Sequence, residues 1–549
     1  MDALTEIGTR RTPQSEPADE RQVPNAAGGY GFALGDDARI HRFLVLGTEA
    51  GTYYTSEREL TKANAEVVLR AARDRGGWLV EQVVAVSTAG RAPRQNPAIF
   101  ALAAASALGG DAGRAAALGA LPAVCRTGTH LFLFSAYVEQ FRGWGRGLRR
   151  AVARWYTDRD VGDVVHQVVK YRQRGGWSHR DLLRLAHPRT MEPARRALFN
   201  QIATGGVEQS LAPGGESRPV GASHDDLPEL VVAFGLAQLT GDVGTWVRLI
   251  EQHPLSWEML PDAALSEPKV WHALIQKGMP QTALIRQLPR LTRLGVLTGA
   301  TRTTVTAQLA DADRLRKGRV HPIDVLVAQR TYAAGRSVRG ASEWEPVRQV
   351  VDALDAAFYA AFGAVEPAGK RTLVALDVSG SMGSSASGLP ISCREASAAL
   401  ALVTMATEPD VDVVGFTAEG GDCWHGRSAL SQLAISPRQR LDDAIRSVSN
   451  LPFGGTDCAL PMTWAAQQGR EYDTIIVVTD NETWAGPIHP HQALREYRER
   501  VVPGARLIVV GMTATEISIA DPADPGSLDV AGFDAAVPNL IADFSRRTI

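Results

Sequence analysis

Thr372-Leu-Val-Ala-Leu-Asp377-Val-Ser-Gly-Ser381 is a short apolar run that ends in three oxygen-bearing side chains. Runs of the same kind recur at Val411-Asp-Val-Val-Gly-Phe416, Thr474-Ile-Ile-Val-Val-Thr479 and Leu507-Ile-Val-Val-Gly511. Stretches with helical periodicity, 394–406, 438–447 and 491–500, lie between and after them. Strands alternating with helices predict βαβ units and a buried, mainly parallel sheet over 370–549. Such sheets place ligands at the carboxyl ends of their strands.

Three loops there carry oxygens. Asp377, Ser379 and Ser381 are spaced so that a tight turn gathers them. Gly454-Gly-Thr456-Asp457 offers a hydroxyl and a carboxylate after two flexible glycines, and Thr479-Asp480-Asn-Glu482 closes a third strand. Hydroxyls and carboxylates suit a hard cation such as Mg²⁺, which keeps part of its water shell. Two other readings compete. Asp377 and Ser379 could cap the following helix, but that leaves the other two loops unexplained. An aspartyl phosphotransfer site needs a second carboxylate two residues on, where this chain has Ser379, and no basic catalytic partner follows. The loop therefore reads as a metal site and not as a catalytic centre.

Upstream the pattern changes. From 39 to 365 apolar residues recur at three- and four-residue spacing, as in 63–73, 97–108 and 271–275, and Pro and Gly punctuate them at short intervals. Many short helices suggest a solenoid of helical pairs, although no clean sequence period accompanies them. Residues 1–38, rich in Pro, Gly and acidic side chains, predict an extended arm, and 203–228 a loop. With 549 residues, 45% hydrophobic and 21% charged, the chain has room for several cores and the composition of a soluble protein. It has no apolar run of about 18 residues and no basic-then-apolar leader. Four scattered cysteines, at 125, 393, 423 and 458, predict reduced thiols and a cytoplasmic location.

The net charge of −2 hides a split. Residues 1–350 hold 44 Lys and Arg against 35 Asp and Glu, whereas 371–549 hold 13 against 22. Within the first part, 101–200 carries 16 basic and 7 acidic residues. Such asymmetry is a hint of a polyanion partner for the basic half. The densest segment runs from Lys170-Tyr-Arg172-Gln-Arg174 through Trp177, His179 and Arg180 to His187 and Arg189. Basic and amide donors there suit phosphates, and Tyr171, Trp177 and the histidines suit stacking on bases. The plainer alternative is a solvated basic face over core tryptophans (Trp144, Trp155, Trp177), with His179 and His187 as core or capping residues.

The combination D-x-S-x-S, G-G-T-D and T-D, in that order, resembles the metal-ion-dependent adhesion site of von Willebrand A domains. The whole chain from about Thr12 resembles the Ro sixty-kilodalton autoantigen family, a TROVE module followed by such a domain, and looks like a bacterial orthologue. The words that carry this resemblance include Asn25-Ala-Ala-Gly-Gly-Tyr30, His41-Arg-Phe-Leu, Gly51-Thr-Tyr-Tyr54, Lys170-Tyr-Arg-Gln-Arg, Gly176-Trp-Ser-His-Arg-Asp-Leu-Leu-Arg-Leu185, Gly454-Gly-Thr-Asp-Cys and Thr479-Asp-Asn-Glu-Thr483.

The resemblance implies an all-α, HEAT-like helical ring over 39–365, sealed by an α/β doubly wound domain over 370–549. It implies Y-like noncoding RNA on the outer surface and single-stranded ends of misfolded RNAs in a basic central hole. Lys170, Arg174 and His187 match basic positions of the RNA surface, with Arg172 and Arg180 beside them and Arg146, Arg149 and Arg150 as further contacts. Asp377, Ser379, Ser381, Thr456 and Asp480 match the metal site, with Mg²⁺ held directly by Ser379, Ser381 and Thr456 and through water by the aspartates. A monomer without enzymatic activity or membrane association, working with an exoribonuclease such as polynucleotide phosphorylase, completes the expectation. The alternative left open is a metal-dependent protein-interaction scaffold without an RNA role.

Overall fold

The computed structural model describes residues 11–47, 57–204, 226–337, 341–363, 365–386, 390–418, 429–437, 439–449, 451 and 454–548. The Gly51–Tyr54 word, most of the expected loop at 203–228 and Cys423 lie outside them.

Helices follow one another from Asp36 to Ala360 and pack as neighbouring pairs. Gly76–Ala89 lies against Asp111–Val124, and Asn96–Leu108 against Gly128–Phe141. The helices that bear the basic residues each bury one stripe, whereas Asn96–Leu108 is buried nearly all round. Arg146–Thr157 buries Leu148, Ala151, Val152, Trp155 and Tyr156, so Arg146, Arg149 and Arg150 are left to solvent. Val161–Lys170 buries Val164, Val165, Val168 and Val169, and the Asp160 side chain accepts from Gly162 N–H to start it.

The sheet of the second domain has the order β11-β9-β8-β5-β6-β7. These strands are Ser527–Ala531 (β11), Arg506–Gly511 (β9), Thr474–Thr479 (β8), Thr372–Asp377 (β5), Val411–Phe416 (β6) and Leu430–Gln432 (β7). All pairs are parallel except β6 with β7. The four strands read from apolar runs are all present. The short strands β7 and β11 carried no such run, and Ser527-Leu-Asp-Val-Ala531, at an edge, includes two polar residues.

Alternation along the central strands builds two cores. Leu373, Ala375, Ile475, Val477, Leu507 and Val509 face a core shared with helices Leu460–Gln467 and Pro490–Arg500. Val374, Leu376, Ile476, Val478, Ile508 and Val510 face the other way, into a core that continues without interruption through the helical module. One face of the sheet is thus part of the helical module's interior. Burying each such side chain is worth about 1.5–3 kcal/mol.

Both ends of the helical run meet this domain. At the start, Arg42 is 1% exposed, and its Nη1 donates to the carbonyls of Thr515 (3.1 Å) and Ile517 (2.9 Å) while Nη2 meets Asp529 at 2.6 Å. Arg91 pairs with buried Asp534 at 3.0 Å. At the end, Arg330 pairs with Glu395 and Arg440 with Asp352, and Phe358 stacks on Phe533 at 6.2 Å. The two ends also touch each other, His321 Nε2 lying 3.2 Å from the Arg91 carbonyl. The helical run therefore closes on itself through the sheet domain.

Residues 11–33, within the segment read as an extended arm, lie along the sheet domain. β1 (Gln22–Pro24) pairs with β2 (Tyr30–Ala33), which pairs antiparallel with β10 (Ile517–Ser518). Arg42→Ala takes the charged partner from Asp529, which keeps only the Ser518 hydroxyl, and the guanidinium donor from two carbonyls. We expect a loss of about 3–5 kcal/mol, read as a lower denaturation midpoint. Arg42→Lys recovers little, because an ammonium cannot fork between a carboxylate and carbonyls. An unchanged midpoint in Arg42→Ala refutes this account of the seam.

Candidate metal loops and nucleic-acid face

Strand β5 delivers Asp377, fully buried, to the carboxyl edge of the sheet. Its Oδ1 accepts from Ser379 N–H (2.9 Å) and its Oδ2 from the Thr479 hydroxyl (2.7 Å), so one carboxylate ties the loops after β5 and β8 together. Ser379 opens the single 3₁₀ turn Gly380–Gly383, yet its side chain makes no capping bond. Its hydroxyl lies 2.9 Å from that of Ser381 instead. Capping is not what these serines do.

Thr456 comes in from the third side. Its carbonyl accepts from the N–H groups of Trp484 and Ala485, both at 3.0 Å. A Cβ on Gly455 would sit 2.9 Å from the Trp484 ring and 3.1 Å from Ala485 Cβ, so a larger residue there would have to displace the ring. Thr456 Oγ1 and Asp480 Oδ2 are buried without a hydrogen-bond partner. Each orphan of this kind costs roughly 1–3 kcal/mol, and a hard cation between them would remove both costs. Burial, then the charge of Asp377, pushes the Asp480 carboxyl up to about 7. Burial also raises Asp377. Two crowded, desolvated carboxyls, one of them with an unpartnered oxygen, beside the unpartnered Thr456 hydroxyl form a site that would gain from a cation. Among the described residues no group of three His, Cys, Asp or Glu could hold a metal. The donors gathered here, Ser379, Ser381, Thr456, Asp377 and Asp480, are mostly hydroxyls, and they fit a hard cation.

Three neighbours change the sequence reading. Arg394 is buried, and its Nη2 donates to the carbonyls of Val378 and Ser379 at 2.9 Å each. A basic group does therefore stand beside the loop, contrary to expectation, and it holds the loop's backbone. Asp457 is turned aside: its Oδ1 accepts from Ala459 N–H (3.0 Å) and from Gln14 Nε2 (2.7 Å). Glu482 receives Ala27 N–H at 3.2 Å, and burial lifts its carboxyl to about 7. Nothing in local sequence announces contacts that reach across more than four hundred residues.

The basic face is built on a hairpin, Gln173–Arg174 (β3) against Trp177–Ser178 (β4). Gly175 and Gly176 turn it with φ of 58° and 81°. Ser178 then caps His179–Ala186 in a capping box with Asp181. Arg172, Arg174, Arg180 and His187 are exposed. The Arg172 guanidinium lies 5.4 Å over the Phe234 ring, and Arg180 Nε donates to the Ala203 carbonyl at 3.3 Å. His187 ends its helix in the left-handed region, φ 46°. Trp144 and Trp177, half-buried, touch at 5.6 Å and bring the Arg146–Arg150 stretch next to the hairpin. Lys170 differs: its side chain is 10% exposed, and Nζ lies 3.4 Å from Glu258 and 5.1 Å over Tyr171. Trp155 and His179 are core, and the His179 ring sits 2.6 Å from the Tyr156 hydroxyl.

The family models place these two sites in one protein type. The TROVE domain model matches residues 23–210 and 242–333, and the Ro60 vWA domain model matches 371–545. The RNA-binding protein RO60 of Deinococcus radiodurans is 40% identical over 553 residues, spanning 99% of each chain. This chain belongs to the Ro60 family. RNA-binding protein RO60 of Caenorhabditis elegans is 35% identical over 600 residues, covering 97% of this chain and 92% of its own. The crystal structure of the Deinococcus radiodurans RO (RSR) protein superposes with a TM-score of 0.69 at 39% identity, over 94% of this chain and all of that one.

Under the basic face of this Ro60-family chain, burial holds the His179 ring at about 4. Its unfolded value is near 6.5, so the unfolded chain binds more protons between those limits. The contribution is complete above pH 6.5 and lost as pH falls toward 4. Buried carboxyls such as Asp324, raised to about 6, act in the opposite sense, so the total slope does not isolate the ring. The difference does. The stability gap between wild type and His179→Gln should narrow from pH 7 to pH 4.5, by about 1.4 kcal/mol per unit of depression crossed. A gap independent of pH in urea titrations contradicts a buried neutral ring.

Proposed function

We propose that this Ro60-family protein binds RNA in two modes and serves RNA quality control. Y-like noncoding RNA lies on the exposed face formed by Arg172, Arg174, Arg180 and His187, flanked by Arg146, Arg149 and Arg150. Single-stranded ends of misfolded RNAs enter the space that the closed helical run surrounds, where a duplex is too wide to follow. The observation that carries this reading is the set of exposed arginines at the hairpin and on its neighbouring helix, in a chain whose relatives are named RNA-binding proteins. Such contacts bind phosphates by releasing counterions and demand little of sequence. An exoribonuclease such as polynucleotide phosphorylase is the partner class that would consume the captured ends. The protein itself acts as a monomeric, cytoplasmic binder and not as an enzyme. No helix among the described residues is long and apolar enough to cross a membrane.

Ser379, Ser381 and Thr456 would hold Mg²⁺ through their hydroxyls, with Asp377 and Asp480 behind them. When bound, the ion supplies a fixed positive charge and an open coordination position for a partner's oxygen. The chain's own part is to keep the three loops in register, through the Asp377–Thr479 bond and the Arg394 contacts.

Arg172→Ala with Arg174→Ala should weaken binding of a Y-like RNA roughly tenfold or more. It should also reduce the slope of log affinity against log salt by about one to two. Lys170→Ala should do less, because its ammonium is already paired with Glu258. An unchanged salt slope in the double variant removes this face from the RNA site. Ser379→Ala should lower Mg²⁺ or Mn²⁺ affinity at least tenfold by calorimetry and leave RNA affinity near wild type. Equal metal affinity in the variant rules out the loop as the ion's site.

A further inference from the structure

We propose that Gln14, on the N-terminal arm, is a positioning residue for the metal loops, so that the site is assembled from both ends of the chain. The inference rests on the metal reading above and deepens it. Gln14 is fully buried. Its Nε2 donates both hydrogens, to Asp457 Oδ1 (2.7 Å) and to the Ile488 carbonyl (2.8 Å). Its Oε1 accepts from the Thr483 hydroxyl, and its own N–H donates to the Gly486 carbonyl at 2.9 Å. One amide therefore bridges the residue after Thr456 and the third residue after Asp480. These are the two loops that carry the unpartnered oxygens.

The bridge completes a small truss. Thr483 Oγ1 accepts from Cys458 N–H at 3.1 Å, and Trp484 and Ala485 donate to the Thr456 carbonyl. Space confirms how tightly it is closed: a Cβ on Gly486 would fall 2.3 Å from both Asp457 Oδ1 and Gln14 Nε2. A neutral amide suits this place. A lysine or arginine would satisfy Asp457 equally, but would set a positive charge next to a cation site and compete with the ion. The amide satisfies the carboxylate and leaves its negative charge in the field of the site. Elsewhere on the arm, Gln22 Nε2 meets His489 Nδ1 at 3.1 Å and Arg11 pairs with Glu496 at 2.7 Å, while Asn25 Nδ2 donates to the Thr483 carbonyl at 2.6 Å and Ala27 N–H to Glu482 at 3.2 Å, within the loop after Asp480 only. Gln14 is the arm side chain that bridges that loop to the one carrying Thr456.

The test uses the full-length protein and three measurements. Mn²⁺ and Mg²⁺ titrations by calorimetry are run on wild type, Gln14→Ala and Gln22→Ala, the last being a variant that loosens the arm at a buried contact away from the loops. Amide exchange of the metal-free proteins is followed at Ala459, Trp484 and Ala485, and melting temperatures are recorded for all three. Gln14→Ala should weaken metal binding roughly tenfold, the lower end for loss of an outer-sphere partner. It should also speed exchange at those amides before any metal is added. Gln22→Ala should lower the melting temperature and keep wild-type metal affinity. Wild-type affinity in Gln14→Ala overturns the proposal while the metal reading stands. Equal weakening in both variants assigns the effect to arm docking in general and overturns the role of Gln14. A wild-type protein that binds neither ion overturns the metal reading, and the proposal with it.

Discussion

A guanidinium taken almost wholly out of water must have its donors met, because an uncompensated buried charge costs several kcal/mol. Arg42 meets most of that demand through its two terminal nitrogens, which donate into the sheet domain to two carbonyls, the Thr515 hydroxyl and Asp529, and only Nε is left without a partner. The first helix of the module cannot leave that domain without stranding the charge. Arg91 repeats the arrangement with Asp534, and its carbonyl receives the far end of the module at His321. Closure of the helical run is therefore fixed by polar geometry, while the continuous apolar core behind it supplies most of the energy. The polar contacts say where the two ends meet. The core makes the meeting favourable.

Closure has an electrostatic consequence. The sheet domain carries the acidic excess and the helical module the basic one, and the seam uses arginines against aspartates and glutamates. Those charges are spent on assembly. The exposed arginines of the hairpin 173–178 and of the helix Arg146–Thr157 take no part in those pairs. They belong to the helical module and the oxygen-bearing loops to the sheet domain, which is why a change at Ser379 is not expected to reach Arg174.

The strand ends and their oxygens were legible because parallel-sheet logic is local: an apolar run, then a loop with donors. Asp377, Ser379 and Ser381 follow Thr372–Asp377, and Asp480 follows Thr474–Thr479, for that reason, whereas Thr456 sits between the helices Leu441–Ser449 and Leu460–Gln467. The amphipathic helices were legible from spacing, and His179 and His187 did become the core and capping residues that the plainer reading allowed. Illegible were the contacts that depend on topology. Arg42 sits in an ordinary helical word, Gln14 in a Pro-rich segment, and each finds partners more than four hundred residues away. No periodicity encodes such a distance. The edge strand Ser527–Ala531 was missed for a related reason: its Asp529 meets Arg42, so it lacks the continuous apolar signature of the strands at the centre.

Lys170 shows what counting charges cannot. It heads the most basic segment of the sequence, yet in the fold its ammonium sits between Glu258 and the Tyr171 ring with little exposure. A pairing of this kind lowers the positive potential that a phosphate meets, and it makes the lysine's displacement toward RNA cost the Glu258 contact. Affinity by counterion release depends on the cations left unpaired at the surface, and on the hairpin these are fewer than the sequence suggests. The same pairing fixes the end of helix Val161–Lys170 against the segment around Glu258, and so sets the base from which the Arg172–Arg174 strand projects. Lys170 thus shapes the face more than it charges it.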